Sequence, residues 1–190
     1  MIYIKKTELC GVIAIKNKAI FLDRDGVINE VVFHKSDKPS SPWNFNEFKL
    51  LPHVKEPLAE FTKMGYLLFI ISNQPDISRG FIEKGITEKI SRIIYDKYPI
   101  KEIMICPHDD HHNCNCRKPN PGMILELSKK YNIDLKKSFL IGDNWKDIEA
   151  GQRAGVITIL INYPYNKSVK TDYRVKNLVS AVKLIKSIEK

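Results

Sequence analysis

The seven residues 66–72, YLLFIIS, place six apolar side chains in unbroken succession. A strand with one wet face alternates polar and apolar residues; a strand covered on both faces does not. Shorter runs of the same kind recur at KAIFLD (18–23), EIMIC (102–106), SFLIG (138–142) and VITILI (156–161). Helical patterns lie between them. HVKEPLAEFTKMG spaces Val54, Leu58 and Phe61 along one face and ends at Gly65, a natural cap. ITEKISRIIYDKY aligns Ile86, Ile90, Ile93 and Ile94; NPGMILELSKKYN packs Met123, Ile124 and Leu127; NLVSAVKLIKSIE aligns Leu178, Val182 and Ile185. Buried strands alternating with helices predict an α/β fold, a Rossmann-like parallel sheet flanked by helices on both faces. A chain of 190 residues and 22.0 kDa suits a single domain over 1–190 with one core. Residues 1–17 precede the first strand as an N-terminal extension. Residues 26–50 break the regular order and read as a long loop directly after the first strand, placed to overhang a site at its end.

The net charge of +9 favours acidic partners: phosphorylated metabolites, nucleic acid or a membrane surface. No block of five like charges occurs, so the lysines are equally consistent with a spread over solvated faces. No apolar run approaches the ~20 residues of a membrane span. The opening MIYIKKTELCGVIAI loosely imitates a signal peptide. However, Glu8 and Lys16 interrupt the patch and no small-residue cleavage site follows. A cytoplasmic chain, a monomer or weak dimer with no membrane partner, is expected. Three of its four cysteines, Cys106, Cys114 and Cys116, crowd into one short stretch. In a reducing compartment such a cluster points to metal binding or catalysis more than to disulfides. Cys10 stands alone and is read as a small structural residue.

The conspicuous polar residues follow the strands, where parallel sheets place their sites. FLDRDGVIN sets Asp23 and Asp25 two apart; such a pair can cap the next segment, or it can serve phosphate-ester chemistry. In the second case one carboxylate attacks phosphorus and the other protonates the leaving oxygen, with a hard cation shielding the charge. Gly26 allows the turn that brings both over the strand end. SNQ (72–74) follows the second run, where Ser72 on its own reads as a helix cap. Arg117 and Lys118 follow the cysteine stretch. IGDNWKDIEAG puts Asp143 after the fourth run and Asp147 one helical turn later.

Acid, hydroxyl, base and acid, carried by DRDG, SNQ, CRKP and IGDNWKDIEAG, resemble the haloacid dehalogenase superfamily of phosphohydrolases over about residues 18–165. The resemblance implies that Asp23 forms an aspartyl-phosphate, and that Asp25 acts first as acid and then as base. It implies Mg²⁺ held by the Asp23 carboxylate, the Asp25 carbonyl and Asp143, with Ser72 and Lys118 on the phosphoryl oxygens. Asp147 is expected to position Lys118 or a metal-bound water. Asn73, Gln74, Arg117 and Asn144 match substrate-contact positions. No large cap domain is expected.

CPH…CNCRKPNPGM is similar to the zinc-containing branch that includes phosphatases of heptose 1,7-bisphosphate and of histidinol phosphate. Cys106, His108, Cys114 and Cys116 make C-x-H-x5-C-x-C, a tetrahedral set with no open position, so this Zn²⁺ is expected to be structural. It would stiffen a small loop over 106–116 beneath Arg117 and Lys118. His111 or His112 can replace His108 in that reading. The expected substrate is a small phosphorylated sugar, a heptose 1,7-bisphosphate losing its 7-phosphate. Histidinol phosphate is the nearest alternative. A polynucleotide 3′-phosphatase suits the charge, but there is no kinase P-loop and no basic-aromatic stripe. A non-catalytic zinc-stabilised binding module needs no nucleophile. One departure stands out: SNQPDISRG has Pro75 and Asp76 where a small residue and glycine are usual, which stiffens and acidifies that edge.

Overall fold

The computed structural model describes residues 16–34 and 38–190. Most of the N-terminal extension expected over 1–17, Cys10 included, lies outside them. Six parallel strands form one sheet in the order β3-β2-β1-β4-β5-β6. They are β1 (Lys18–Leu22), β2 (Tyr66–Asn73), β3 (Glu102–Cys106), β4 (Phe139–Gly142), β5 (Ile157–Ile161) and β6 (Tyr173–Val175). The helices are α1 (Lys55–Lys63), the short α2 (Pro75–Ser78), α3 (Ile86–Lys97), α4 (Gly122–Lys130), α5 (Trp145–Ala154) and α6 (Leu178–Ile188).

Period-two alternation along each strand sorts the core into two layers. Ile20, Leu22, Leu68 and Ile70 pack with Leu58, Phe61, Ile90 and Ile185, under α1, α3 and α6. Ala19, Phe21, Phe69 and Ile71 pack with Met123, Ile124, Leu127 and Ala150, under α4 and α5. Both faces are covered, which is why the central strands show no polar alternation. β6 was not legible in the sequence. It is three residues long at the sheet's edge, with Tyr173 and Arg174 exposed, so no apolar run announces it. No inserted cap domain interrupts the described residues.

From β1 the chain steps outward through β2 to β3, then returns to the other side of β1 as β4. Neighbouring strands β1 and β4 therefore lead off in opposite directions, and a crevice opens at their carboxyl ends. The 26–50 excursion has more order than the loop expected there. Val32 and Ser40 exchange backbone hydrogen bonds, Asn29 bridges to Leu50, and Phe45–Glu47 forms a 3-10 turn.

Candidate active site

Lys118 lies at the centre of the crevice, 2% exposed. Its ammonium Nζ is 2.8 Å from Asp23 Oδ1 and 2.5 Å from Asp147 Oδ1, and it donates to the Ile71 carbonyl at 2.7 Å. Burial alone favours the neutral amine. Asp147 and Asp23 outweigh it, and the lysine holds its proton more firmly than in water. Asn73 fixes the lysine's backbone from β2: its amide donates to the Lys118 carbonyl at 2.9 Å and accepts from the Lys118 N–H at 3.0 Å.

Asp23 follows β1 and is tied to β4 through its N–H, 3.0 Å from the Ile141 carbonyl. Burial and then Asp147 push its carboxyl up to about 7 against the pull of Lys118. Burial, Asp23 and Asp147 push Asp143 up as well. Three carboxylates, Asp23, Asp143 and Asp147, bring oxygens within 4.8 Å of one another around one ammonium. When all are ionised, two negative charges go uncompensated, a hard-oxygen set that fits a divalent cation. Gly26 makes the close packing possible. Its φ is +79°, and a Cβ there would lie 2.4 Å from Asp143 Oδ2.

Asp25 is held from all sides. Arg24, 1% exposed, reaches both of its oxygens, with Nη2 at 3.0 and 3.1 Å. Asn29 donates to Oδ1 at 2.8 Å; Ser41 and Gln74 donate to Oδ2 at 2.9 and 2.7 Å. Gln74 also donates to the Ser72 hydroxyl at 2.8 Å, and both residues are fully buried. Ser72 is thus not a helix cap; it lies inside the last turns of pleat of β2. Asn144 caps α5, accepting from the Lys146 N–H, while Asp147 accepts from the Asn144 N–H in a reciprocal capping box. Asp147 therefore serves the helix end with one oxygen and Lys118 with the other.

The cysteine loop brings four soft donors together. Cys106, His108, Cys114 and Cys116 place one ligand atom each within 4.8 Å of the others. Sulfur–sulfur separations are 3.1, 3.4 and 3.6 Å, slightly inside the about 3.8 Å that tetrahedral zinc–thiolate geometry sets. His108 faces the sulfurs through Nδ1. His112 instead accepts from the Asp109 N–H, and His111 stacks on His112, so neither belongs to the set. Burial and then the neighbouring Cys116 push the Cys106 thiol upward. Arg117 extends from this loop along the cleft, with Nε 2.7 Å from Asp110 and Nη1 3.0 Å from the His108 carbonyl.

A cleft of about 620 Å³ opens over these groups, walled by residues of the 26–50 excursion, α2 and its C-cap Arg79, Arg117 and Lys118 after the cysteine loop, and the start of α5. Sequence reasoning missed several participants. The Tyr165 hydroxyl donates to Asp143 Oδ2, and Asn166 donates to the Asp143 carbonyl at 2.7 Å. Neither stands in a motif, and only the return of the chain past β5 brings them in. Ser41 was equally silent, and Arg24, though inside DRDG, was given no role.

A model of haloacid dehalogenase-like hydrolases matches residues 40–161. A D-glycero-alpha-D-manno-heptose-1,7-bisphosphate 7-phosphatase of Photorhabdus laumondii is 35% identical over 191 residues, covering 90% of this chain and 97% of its own. A D-glycero-beta-D-manno-heptose-1,7-bisphosphate 7-phosphatase of Helicobacter pylori is 36% identical over 146 residues, covering 74% and 80%. The solved D,D-heptose 1,7-bisphosphate phosphatase of B. bronchiseptica, complexed with magnesium and phosphate, superposes with a TM-score of 0.77. That match is 24% identical and covers 90% of this chain and 99% of the other, a likeness of fold.

Proposed function

The chain belongs to the haloacid dehalogenase-like hydrolases, and on that premise we propose that it removes the 7-phosphate of a D-glycero-D-manno-heptose 1,7-bisphosphate. The observation that carries the chemistry is Lys118 Nζ bridging Asp23 and Asp147 beside Asp25, at the mouth of one cleft. The substrate rests on relatives that are heptose bisphosphate 7-phosphatases matched along nearly their whole length.

Asp23 Oδ1 is taken by Lys118 and by the Arg24 N–H, so the other oxygen attacks phosphorus. An Asp23–phosphorus bond forms as the bond to the sugar oxygen breaks, and Asp25 gives that oxygen its proton. Asp25 then takes a proton from water, whose oxygen attacks the same phosphorus and returns Asp23 with release of phosphate. Lys118 and Ser72 bind the phosphoryl oxygens, and Gln74 sets the spacing between Ser72 and Asp25. Asp23, the Asp25 carbonyl and Asp143 would hold Mg²⁺, which supplies charge neutralisation for the approaching phosphate. Cys106, His108, Cys114 and Cys116 would hold a structural Zn²⁺, in keeping with a reducing cytoplasm. Arg117 and Asn144 line the cleft where the remainder of the substrate lies. No helix of the described residues is long and apolar enough to cross a membrane.

The test is phosphate release from both anomers of the heptose bisphosphate, histidinol phosphate and a single-stranded DNA 3′-phosphate at equal Mg²⁺. The heptose bisphosphate should be turned over with far higher kcat/KM than the others. A clear advantage for histidinol phosphate, or equal efficiency on the DNA, would overturn the substrate.

A further inference from the structure

Asp76, read from the sequence as an acidic edge to the substrate site, is 4% exposed and its carboxylate is fully engaged. Oδ2 accepts from the Ser40 hydroxyl at 3.1 Å and from the Trp43 indole N–H at 2.9 Å. Oδ1 accepts from Arg79 Nη1 at 2.9 Å. The same arginine turns its other two donors to Asp109, with Nε at 2.7 Å and Nη2 at 2.8 Å. Arg79 thus joins two carboxylates on two segments that are remote in sequence. The backbone supports the arrangement: the Glu83 N–H donates to the Trp43 carbonyl at 3.1 Å, and the Phe81 N–H to the Asp76 carbonyl at 2.9 Å. Trp43 is clasped between His34 and Phe81, with ring centroids 3.5 and 4.8 Å away.

Three segments therefore meet at one ion-paired node: the 38–43 segment and the start of α2, which wall the cleft, and the loop carrying His108 and Asp109, which braces them from behind. We propose that Asp76 and Arg79 form a latch that fixes the 38–43 wall against the cysteine loop, and that this latch sets which phosphate esters fit the cleft. The inference rests on the phosphatase reading. The charge logic agrees with a holding role. Asp76, 4% exposed and accepting from two neutral donors and a guanidinium, is committed to the wall, and its charge is balanced by Arg79. Ser41, next to Ser40, donates to Asp25, but Arg24, Asn29 and Gln74 hold that carboxylate independently of the wall. Asp76 and Arg79 are positioning residues here, since they act through the wall.

The experiment compares the wild-type protein with Asp76→Asn and Trp43→Phe on p-nitrophenyl phosphate, a hexose monophosphate and the heptose bisphosphate. Asparagine presents an NH₂ to at least one of the groups that now donate, so one side of the latch opens. Trp43→Phe removes one donor and keeps the ring stack. For Asp76→Asn, KM for the bisphosphate should rise roughly tenfold or more while kcat changes little, the size of effect expected on losing a hydrogen bond to a charged group. The p-nitrophenyl ester should hold its kcat/KM within about threefold. Trp43→Phe should shift the same ratio by a smaller factor, and it carries the test alone if Asp76→Asn does not fold. An equal loss on all three esters, or unchanged ratios in the folded variants, would overturn the latch. If wild-type protein shows no preference for the heptose bisphosphate, the substrate reading fails, and the latch is judged on whichever large ester the wild type does prefer.

Discussion

At Lys118, two carboxylates reverse what burial alone would do to an amine. The ammonium is surrounded by Asp23, Asp147 and a carbonyl, so its charge is fixed in place before a phosphoryl oxygen arrives, and it meets that oxygen by sharing one of its three donors. Asp23 depends on that charge and on an open second oxygen. Asp23→Asn should lower turnover by roughly 10³-fold or more while the thermal melt stays cooperative. Phosphate release by the folded variant near the wild-type rate would remove Asp23 as nucleophile. Asp25→Asn should cost about 10²- to 10⁴-fold, because in the proposed mechanism one carboxylate serves both half-reactions. Gly26 is constrained by both its backbone angle and its neighbour. Gly26→Ala should destabilise by about 1–3 kcal/mol and also weaken Mg²⁺ binding through a displaced Asp143. Urea unfolding and calorimetric Mg²⁺ titration read the two effects separately; a neutral result in both would mean the turn relaxes freely.

Among the elements, the 106–116 loop depends most on something other than an apolar core. It has little regular structure, one 3-10 turn over Asp110–His112, and its order comes from the sulfur cluster and from Arg79 and Arg117. A structural zinc contributes folding energy directly, ~10 kcal/mol or more in small metal-dependent modules. Here the sheet has its own core, so that energy acts on the loop. Cys114→Ser should therefore lower zinc content from about one per chain, a whole complement for a four-ligand site. It should also raise proteolysis between residues 106 and 120 and reduce turnover through a misplaced Lys118. Added Mg²⁺ should not restore activity, because the aspartate oxygens and the thiolates select different ions. Full activity and an ordered loop in a zinc-free preparation would sink the structural role.

On the scale of the whole molecule, stability and chemistry occupy different parts of the sheet. The core lies along the strand bodies, and the catalytic groups lie at their carboxyl ends. Phe61, fully buried on the inner face of α1, belongs to the layer shared with α6 and does not line the cleft. Phe61→Ala should cost ~3–5 kcal/mol by urea unfolding, yet leave kcat and KM per folded molecule unchanged. A changed KM would show that strain from the core reaches the site.

Much of this was legible without coordinates, because a parallel sheet writes its strands as continuous apolar runs and puts its polar groups directly after them. Asp23, Asp25, Lys118 and Asp143 stood at those positions, and the spacing of Cys106, His108, Cys114 and Cys116 was itself a ligand pattern. The helical faces were legible for the same reason, though Ile93 is only partly buried while Ile86, Ile90 and Ile94 carry the contact. What the tertiary structure decided was the use of polar residues whose partners are remote along the chain. Asp76, read as acidifying the edge after Gln74, is a buried anchor; Asn73 and Gln74, which match substrate-contact positions, also turn their amides to Lys118, Asp25 and Ser72. Tyr165 had no signal at all, and Arg24 stood in a motif with no sign of its partner. Hydrophobic burial follows local periodicity, whereas a hydrogen bond depends on which strand ends the topology brings together, and local periodicity carries no record of that.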